Sequence, residues 1–372
     1  MPTSWKGAKR TSHHRSPDHE HPYEPRHGRR YHRATTLEVP TMAAHPHADT
    51  QRETLHATPR NPGVPFDPAW IEDLRVNRSA TQRRASTIPT RRTVKKAWQA
   101  AWLLKAVTLI DLTTLAGDDT AGRVRRLCAK ARQPVRGELL DALGMRDTPI
   151  TTGAVCVYPT MVPHAVEALQ GTTIPVASVA SGFPAGLMPM AQRIAEVRWS
   201  VDAGAREIDV VITREHVLTG RFDALYDEIA AFRDAVGDAH LKVILATGEL
   251  GTLSDVAKAS TVAMMAGADF VKTSTGKEPV NATLEVGITM ARTVRHYQER
   301  TGAIVGFKPA GGIRTAKDAL AWLAMIKEEL GDDWLTPERF RFGASGLLGD
   351  IERQLDHHVT GRYAAAHRQP MA

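Results

Sequence analysis

Cysteine is scarce in this chain of 372 residues, with only Cys128 and Cys156. That excludes a disulfide scaffold and a cysteine-rich zinc module. Long apolar runs are missing too. The best candidate, AAWLLKAVTLI at 100–110, is broken by Lys105 and falls short of the ~18 residues a membrane span needs. No apolar signal core is visible near the N-terminus, so a reducing cytoplasm is the expected compartment and no membrane partner is expected. Apart from the cysteine count, composition is ordinary: 42% hydrophobic and 24% charged residues support a large core.

The net charge of +7 is unevenly placed. Residues 1–60 carry ten Lys and Arg against six Asp and Glu, residues 61–100 carry eight against three, and the remainder sums to −2. The basicity is therefore N-terminal, and a nucleic-acid partner for the whole chain is not expected. Nine of the sixteen histidines also lie in residues 1–60. This segment has no helical or strand period, so it is expected to be a disordered, basic, His-rich extension. Metal binding there is conceivable, but a solvated leader is the simpler expectation. Residues 61–105 read as a lead-in. Within it, RRTVKKAWQAAWLLKAV at 91–107 predicts an amphipathic helix with Val94, Trp98, Ala101 and Trp102 on one stripe.

From there to about residue 362 the chain alternates, followed by a short tail over 363–372. Strand-like runs are VTLIDL at 107–112, GAVCVY at 153–158, IPVASV at 174–179, EIDVVI at 207–212, LKVILA at 241–246, DFVKTS at 269–274, AIVGFK at 303–308 and FRFGAS at 340–345. Helical stripes follow several of them: Ile194, Val197 and Val201; Leu218, Phe222, Leu225, Ile229 and Phe232; Ala316, Leu320, Leu323, Ile326 and Leu330. Strand–helix repetition on this scale predicts an α/β fold, a (β/α)8 TIM barrel. A doubly wound open sheet is the competitor, but VTLIDLTTLAGDD lacks its G-x-G-x-x-G turn.

Barrel chemistry sits at the C-terminal ends of strands. There the sequence puts charges where a closed barrel makes them costly: Asp111, Asp209, Lys272 and Lys308. The alternative is a set of structural ion pairs plugging the barrel. A lysine amine condenses with a carbonyl to an imine, whose protonated form stabilises a neighbouring carbanion. An ordinary lysine is neutral only about once in 2,500 molecules at pH 7, and a second ammonium nearby raises that fraction. A carboxylate can move the protons. This is the chemistry of a class I aldolase, and either lysine could be the nucleophile.

Three glycine-rich stretches follow the last three runs: TSTGK at 273–277, AGGIRT at 310–315 and GASG at 343–346. Loops at that end of a barrel often bind phosphate through backbone amides. The histidines beyond residue 60 are dispersed, with no H-x-x-x-H or H-E-x-x-H pair, so no metal is expected. No G-x-S-x-G elbow is present. Cys156 is expected to be a buried structural thiol.

The segments DLTTL at 111–115, AVCVYP at 154–159, EIDVV at 207–211, ATGEL at 246–250, DFVKTSTGK at 269–277, VGFKPAGGIRT at 305–315 and RFGASGLL at 341–348 resemble deoxyribose-phosphate aldolases. The resemblance runs from about Asn61 to the C-terminus and is strongest to the longer form found in animals. It implies reversible cleavage of 2-deoxy-D-ribose 5-phosphate to D-glyceraldehyde 3-phosphate and acetaldehyde, in a TIM barrel, with no cofactor and no metal. It implies a sugar-phosphate substrate and allows a homodimer. Carried over motif by motif, Lys272 forms the imine, Lys308 lowers its pKa, Asp209 is the general acid and base, and Asp111 supports that relay. Gly276, Lys277, Gly311, Gly312, Arg314, Gly343 and Ser345 would contact the phosphate. Two departures stand out. Gly346 replaces a hydroxyl residue of many relatives. Tyr363 lies nine residues from the end, so the active-site role of a terminal tyrosine in shorter relatives is not carried over. Competing readings are another imine-forming sugar-phosphate aldolase, and a non-catalytic protein whose basic leader binds an acidic surface or RNA.

Overall fold

A computed structural model of the chain describes residues 60–91, 94–365, 368 and 369. The expected disorder of residues 1–60 falls outside these, apart from Arg60. Eight parallel strands follow one another around a barrel: β1 (Ile110–Thr113), β2 (Ala154–Val157), β3 (Val176–Ala180), β4 (Glu207–Val211), β5 (His240–Ile244), β6 (Phe270–Lys272), β7 (Gly306–Lys308) and β8 (Phe342–Ala344). Consecutive strands pair in order, and β1 also pairs with β8. The seam between β7 and β8 is drawn together by bridges Phe307–Phe340 and Ala310–Gly343.

The two faces of each strand explain the fold. Outward residues such as Leu112, Val155, Val157, Ile208, Val210, Leu241, Val243, Val271 and Phe307 are buried in one large apolar layer under the helices. The inward face carries the charged residues of the strands beside apolar ones such as Ile244 and Phe270, and among the described residues Cys156, Ala177 and Val179 form a separate small apolar cluster there, packed by Leu115, Tyr158 and Phe183. A parallel strand buried on both sides would ordinarily be apolar throughout, so the charges on the inner face need their own explanation.

Four expectations change. The strands are shorter than the apolar runs: Val107 and Thr108 end the preceding helix, and β7 begins at Gly306. Leu218 does not join the stripe of Phe222–Val236. It ends a separate short helix, Arg214–Leu218, and is exposed, because Gly220 intervenes with φ +72° and breaks the helix. The lead-in contains an additional helix, Arg78–Arg91, whose mostly polar sequence carries little periodic signal. The helix Lys96–Thr108 forms as expected but turns a different face inward. It buries Ala100, Leu103, Leu104 and Val107, while Trp98 is half exposed. The residues that pack are those spaced to meet the helices 316–330 and 347–360, its neighbours.

Asn61 anchors the start of the described chain. Its side-chain amide donates to the carbonyls of Met264 (2.7 Å) and Ala268 (2.9 Å), its backbone N–H donates to Asp269 Oδ1 (2.9 Å), and the Tyr297 hydroxyl donates to its Oδ1. At the other end, Tyr363 stacks on His357 at 4.3 Å, near the end of the helix Leu347–Thr360 remote from the strand C-termini.

Asn61→Ala removes the side-chain hydrogen bonds to the carbonyls of Met264 and Ala268 and those accepted from the Tyr297 hydroxyl and the Gly63 N–H, while the backbone bond to Asp269 survives. It is expected to lower unfolding free energy by about 1–3 kcal/mol, read from urea denaturation, with the barrel still folded. An unchanged urea midpoint would show that Asn61 does not anchor the chain.

Candidate active site

Inward parity collects the charges. Asp111 lies on β1, Glu207 and Asp209 on β4, Lys242 on β5, Lys272 on β6 and Lys308 on β7, with Arg341 just before β8; all are buried. Lys272 and Lys308 are register partners on adjacent strands, as are Asp209 and Lys242. The structure therefore brings together all four charged residues that the sequence singled out, and adds Lys242, Glu207 and Arg341 to them. Gly306 on β7 leaves space inside the barrel: a Cβ there would lie 2.3 Å from the ring of Phe270. That ring packs below Lys242 Nζ.

The contacts are unequal. Lys242 reaches three carboxylates, Glu207, Asp111 (3.1 Å) and Asp209 Oδ1 (3.3 Å). Lys308 reaches two, Asp111 and Asp209 Oδ2 (2.7 Å). Arg341 reaches two, Asp111 Oδ1 (2.6 Å) and Glu207 Oε1 (3.0 Å). Among the described residues, Lys272 reaches only Asp209 Oδ2 (2.7 Å), an oxygen it shares with Lys308. The network thus joins four cations to three carboxylates, and Lys272 holds the smallest share of negative charge.

The titration tendencies follow. Burial disfavours every charge here, but for the best-paired groups it is outweighed. Asp209 stays well below the usual carboxylate range because Lys242, Lys272 and Lys308 surround it. Asp111 does the same beside Lys242, Lys308 and Arg341. Lys308 is raised by Asp111 and Asp209, and Lys242 by Asp111, Asp209 and Glu207. Lys272 moves the other way. Burial pushes its ammonium down, the charge of Lys308 adds to that, and Asp209 does not compensate. Cys156 is buried on β2 with its thiol pushed up by burial, an environment that disfavours the reactive thiolate.

The glycine loops also converge at the mouth. The Gly276 backbone lies close to Gly311, and Ala310 bridges to Gly343. Their amides are not equally available. Those of Thr275 and Gly276 donate to the buried Glu278 carboxylate at 3.0–3.1 Å. Lys277 Nζ spans to the carbonyl of Leu115 at 3.0 Å, and Gly311 N donates to Gly343 O at 3.4 Å. The helix Ala316–Leu330 is closed by a capping box of Thr315 and Asp318. The helix Leu347–Thr360 differs. Its N-cap is Gly346, no side chain caps it, and Ser345 is exposed beside it. Gly312 and Arg314 are exposed too. Sequence reading passed over Glu278, whose acidic charge in a phosphate-like loop was the available signal.

Among the described residues no group of three or more His, Cys, Asp and Glu is placed to hold a metal ion, and no helix is long and apolar enough to cross a membrane.

Comparison with known proteins gives a consistent set of relatives. Residues 105–348 match the model of the DeoC/LacD family aldolases. The chain is 63% identical over 314 residues to the deoxyribose-phosphate aldolase of Homo sapiens, covering 84% of this chain and 99% of the relative. It is 64% identical over 312 residues to that of Mus musculus, covering 83% of this chain and 98% of the relative. Among solved structures, the deoxyribose phosphate aldolase of Aeropyrum pernix superposes with a TM-score of 0.51 at 21% identity, covering 71% of this chain and 98% of that one; at that identity the likeness speaks for the fold.

Gly311 and Gly312 both have positive φ, +78° and +82°, but a Cβ on Gly311 would lie 2.6 Å from Asn281 while one on Gly312 meets open space. Gly312→Ala should cost about 1–2 kcal/mol from backbone strain alone. Gly311→Ala should cost about 1–3 kcal/mol more from overpacking. Urea midpoints compare them, and equal losses would contradict the packing of this loop.

Proposed function

The chain belongs to the DeoC/LacD family of aldolases, and we propose that it breaks its carbon–carbon bond through an imine on Lys272. Its activity is that of a deoxyribose-phosphate aldolase: reversible cleavage of 2-deoxy-D-ribose 5-phosphate to D-glyceraldehyde 3-phosphate and acetaldehyde. The observation that carries the mechanistic reading is the unequal pairing inside the barrel. Four cations share three carboxylates, and Lys272 has one half-shared partner. Losing one proton there balances the interior.

The neutral Lys272 amine attacks C1 of the open-chain sugar, giving a carbinolamine. A proton delivered to the carbinolamine hydroxyl lets it leave as water, giving the protonated imine. Removal of the C3 hydroxyl proton lets the C2–C3 bond break, its electron pair moving to C2 and into the imine as an enamine. The phosphorylated aldehyde leaves. Protonation at C2 and hydrolysis release acetaldehyde and the amine. Asp209 is suited to carry these protons. Its Oδ2 already receives Lys272 and Lys308, while its buried Oδ1 has no hydrogen-bond partner among the described residues, although Lys242 lies 3.3 Å away. Burial and the positive charge of Lys308 both favour loss of the Lys272 proton, and Asp111 holds Lys308.

For the phosphate, the open amides at the start of helix 347–360, beside Ser345 and flanked by Gly312 and Arg314, favour an anion. Gly276 and Lys277 would serve only after exchanging their present partners. A neighbouring reading, an imine-forming aldolase of another sugar phosphate, is separated by offering dihydroxyacetone phosphate in place of acetaldehyde.

Acetaldehyde with borohydride should add one ethyl group, mapped by peptide mass spectrometry to Lys272. Lys272→Arg should abolish labelling and turnover, because a guanidinium stays charged. Lys308→Leu removes a neighbouring positive charge, so the pKa of Lys272 rises. Labelling should then slow at neutral pH, and the optimum should move to higher pH. An ethyl group on Lys308, with Lys272→Arg still active, reverses the assignment. EDTA should leave turnover unchanged, since the imine is the electron sink; a loss restored by Zn²⁺ would contradict the mechanism.

Arg314→Gln should raise KM for the phosphorylated substrate about tenfold or more, roughly one charge-assisted hydrogen bond. Slow turnover of unphosphorylated deoxyribose should not change. Equal loss on both substrates would argue against a phosphate role.

A further inference from the structure

We infer that Arg341, together with Glu207, is a positioning residue that fixes the charge surplus of the barrel interior and thereby the pH at which Lys272 acts as a nucleophile. This rests on the imine reading above. Arg341 touches no reacting atom. It lies at the floor of the barrel, at the N-terminal end of β8, where it and Glu207 line a cavity with Thr173, Arg206 and His240. Lys272 ends β6 at the opposite rim. The two are joined only through carboxylates. Arg341 holds Asp111 Oδ1 and Glu207 Oε1, Asp111 Oδ2 holds Lys308 and Lys242, and Lys308 shares Asp209 with Lys272.

The choice of arginine matters. Three lysines and three carboxylates would balance, and no lysine would gain by losing a proton. Arg341 adds a fourth positive charge and binds carboxylate that the lysines would otherwise use. A guanidinium does not deprotonate in proteins, so the surplus cannot be discharged at the floor. It must be discharged at a lysine, and Lys272 has the fewest carboxylates. Arg341 is itself locked by Asp111, Glu207 and a hydrogen bond from its Nε to the Pro337 carbonyl, with the charge of Glu338 nearby. The groups that face Lys272 are Asp209 on β4, Lys308 on β7 and Cys156 on β2; Lys242 on β5 and Asp111 on β1 lie one contact further. A substitution at residue 341 replaces none of these and changes the pairing of Asp111 among them.

The test is the pH profile of kcat/KM, whose acid limb reports the free amine of the substrate-free enzyme. Arg341→Met should move that limb to higher pH by roughly 1–2 units, the size expected for losing one nearby charge in a buried network. Activity lost at neutral pH should return in alkali. Arg341→Lys keeps a charge on the same two carboxylates but one that can be given up, so its limb should lie between those of the unsubstituted enzyme and Arg341→Met. Glu207→Gln has nearly the same shape, adds to the surplus and should move the limb to lower pH, so it carries the test if Arg341→Met fails to fold. A purely structural role would lower activity at every pH without moving the limb. A folded Arg341→Met enzyme with an unmoved limb, or a shift in the same direction for Arg341→Met and Glu207→Gln, overturns this inference while leaving the imine on Lys272 intact. Borohydride labelling of the unsubstituted enzyme at another lysine overturns the imine reading itself.

Discussion

A closed barrel whose inner face holds one more positive than negative charge is the constraint on which the rest of this molecule depends. Water cannot solvate these groups, so each charge has to be met by a partner or given up. The strand register places the partners. Lys272 and Lys308 stand side by side, Asp209 faces Lys242, and the floor is closed by Arg341 between Asp111 and Glu207. The outer face of the same strands is a continuous apolar layer. That layer makes the arrangement affordable, since it stabilises the barrel independently of the ion pairs inside it.

On this account the site is a gradient of pairing along the barrel axis. Charges at the floor and middle are shared among two or three partners. At the rim, where substrate enters, one lysine has half a partner. The position that is poorest for an ammonium is the one where a neutral amine is useful. Above it, the loops after β6 and β7 have largely committed their backbone donors within the protein, to Glu278, Gly343 and the capping box of Thr315 and Asp318. The helix beginning at Gly346 has not. Because Gly346 has no side chain, backbone amides are the available donors at that helix start.

Much of this was legible in the sequence, because charges at strand ends conflict with burial and so stand out. Asp111, Asp209, Lys272 and Lys308 were visible that way, as was the barrel, from its alternating runs. Lys242 and Glu207 were overlooked although each strand alone contains the signal. In EIDVV the alternation that turns Asp209 inward also turns Glu207 inward, and in HLKVI the apolar Leu241 and Val243 face the helices and leave Lys242 inside. Reading strand ends without strand parity hid them. Arg341 carries the same signal, flanked by the outward Phe340 and Phe342, but it precedes the short β8 and its partners come from β1 and β4. The face of the lead-in helix was misjudged for a related reason. Trp98 is the larger apolar residue, but what is buried depends on which neighbours the helix meets, and those lie more than two hundred residues away in the chain.

The protonation state of Lys272 in the substrate-free protein tests the account most directly. With lysines labelled at 13Cε and 15Nζ, and resonances assigned from Lys272→Arg, Lys308→Leu and Lys242→Met, an NMR titration follows each buried amine separately. The account predicts that Lys272 loses its proton well below the ordinary lysine value of ~10.4, while Lys242 and Lys308 remain protonated throughout. All three lysines staying charged to that value, or Lys308 proving to be the neutral one, would contradict it.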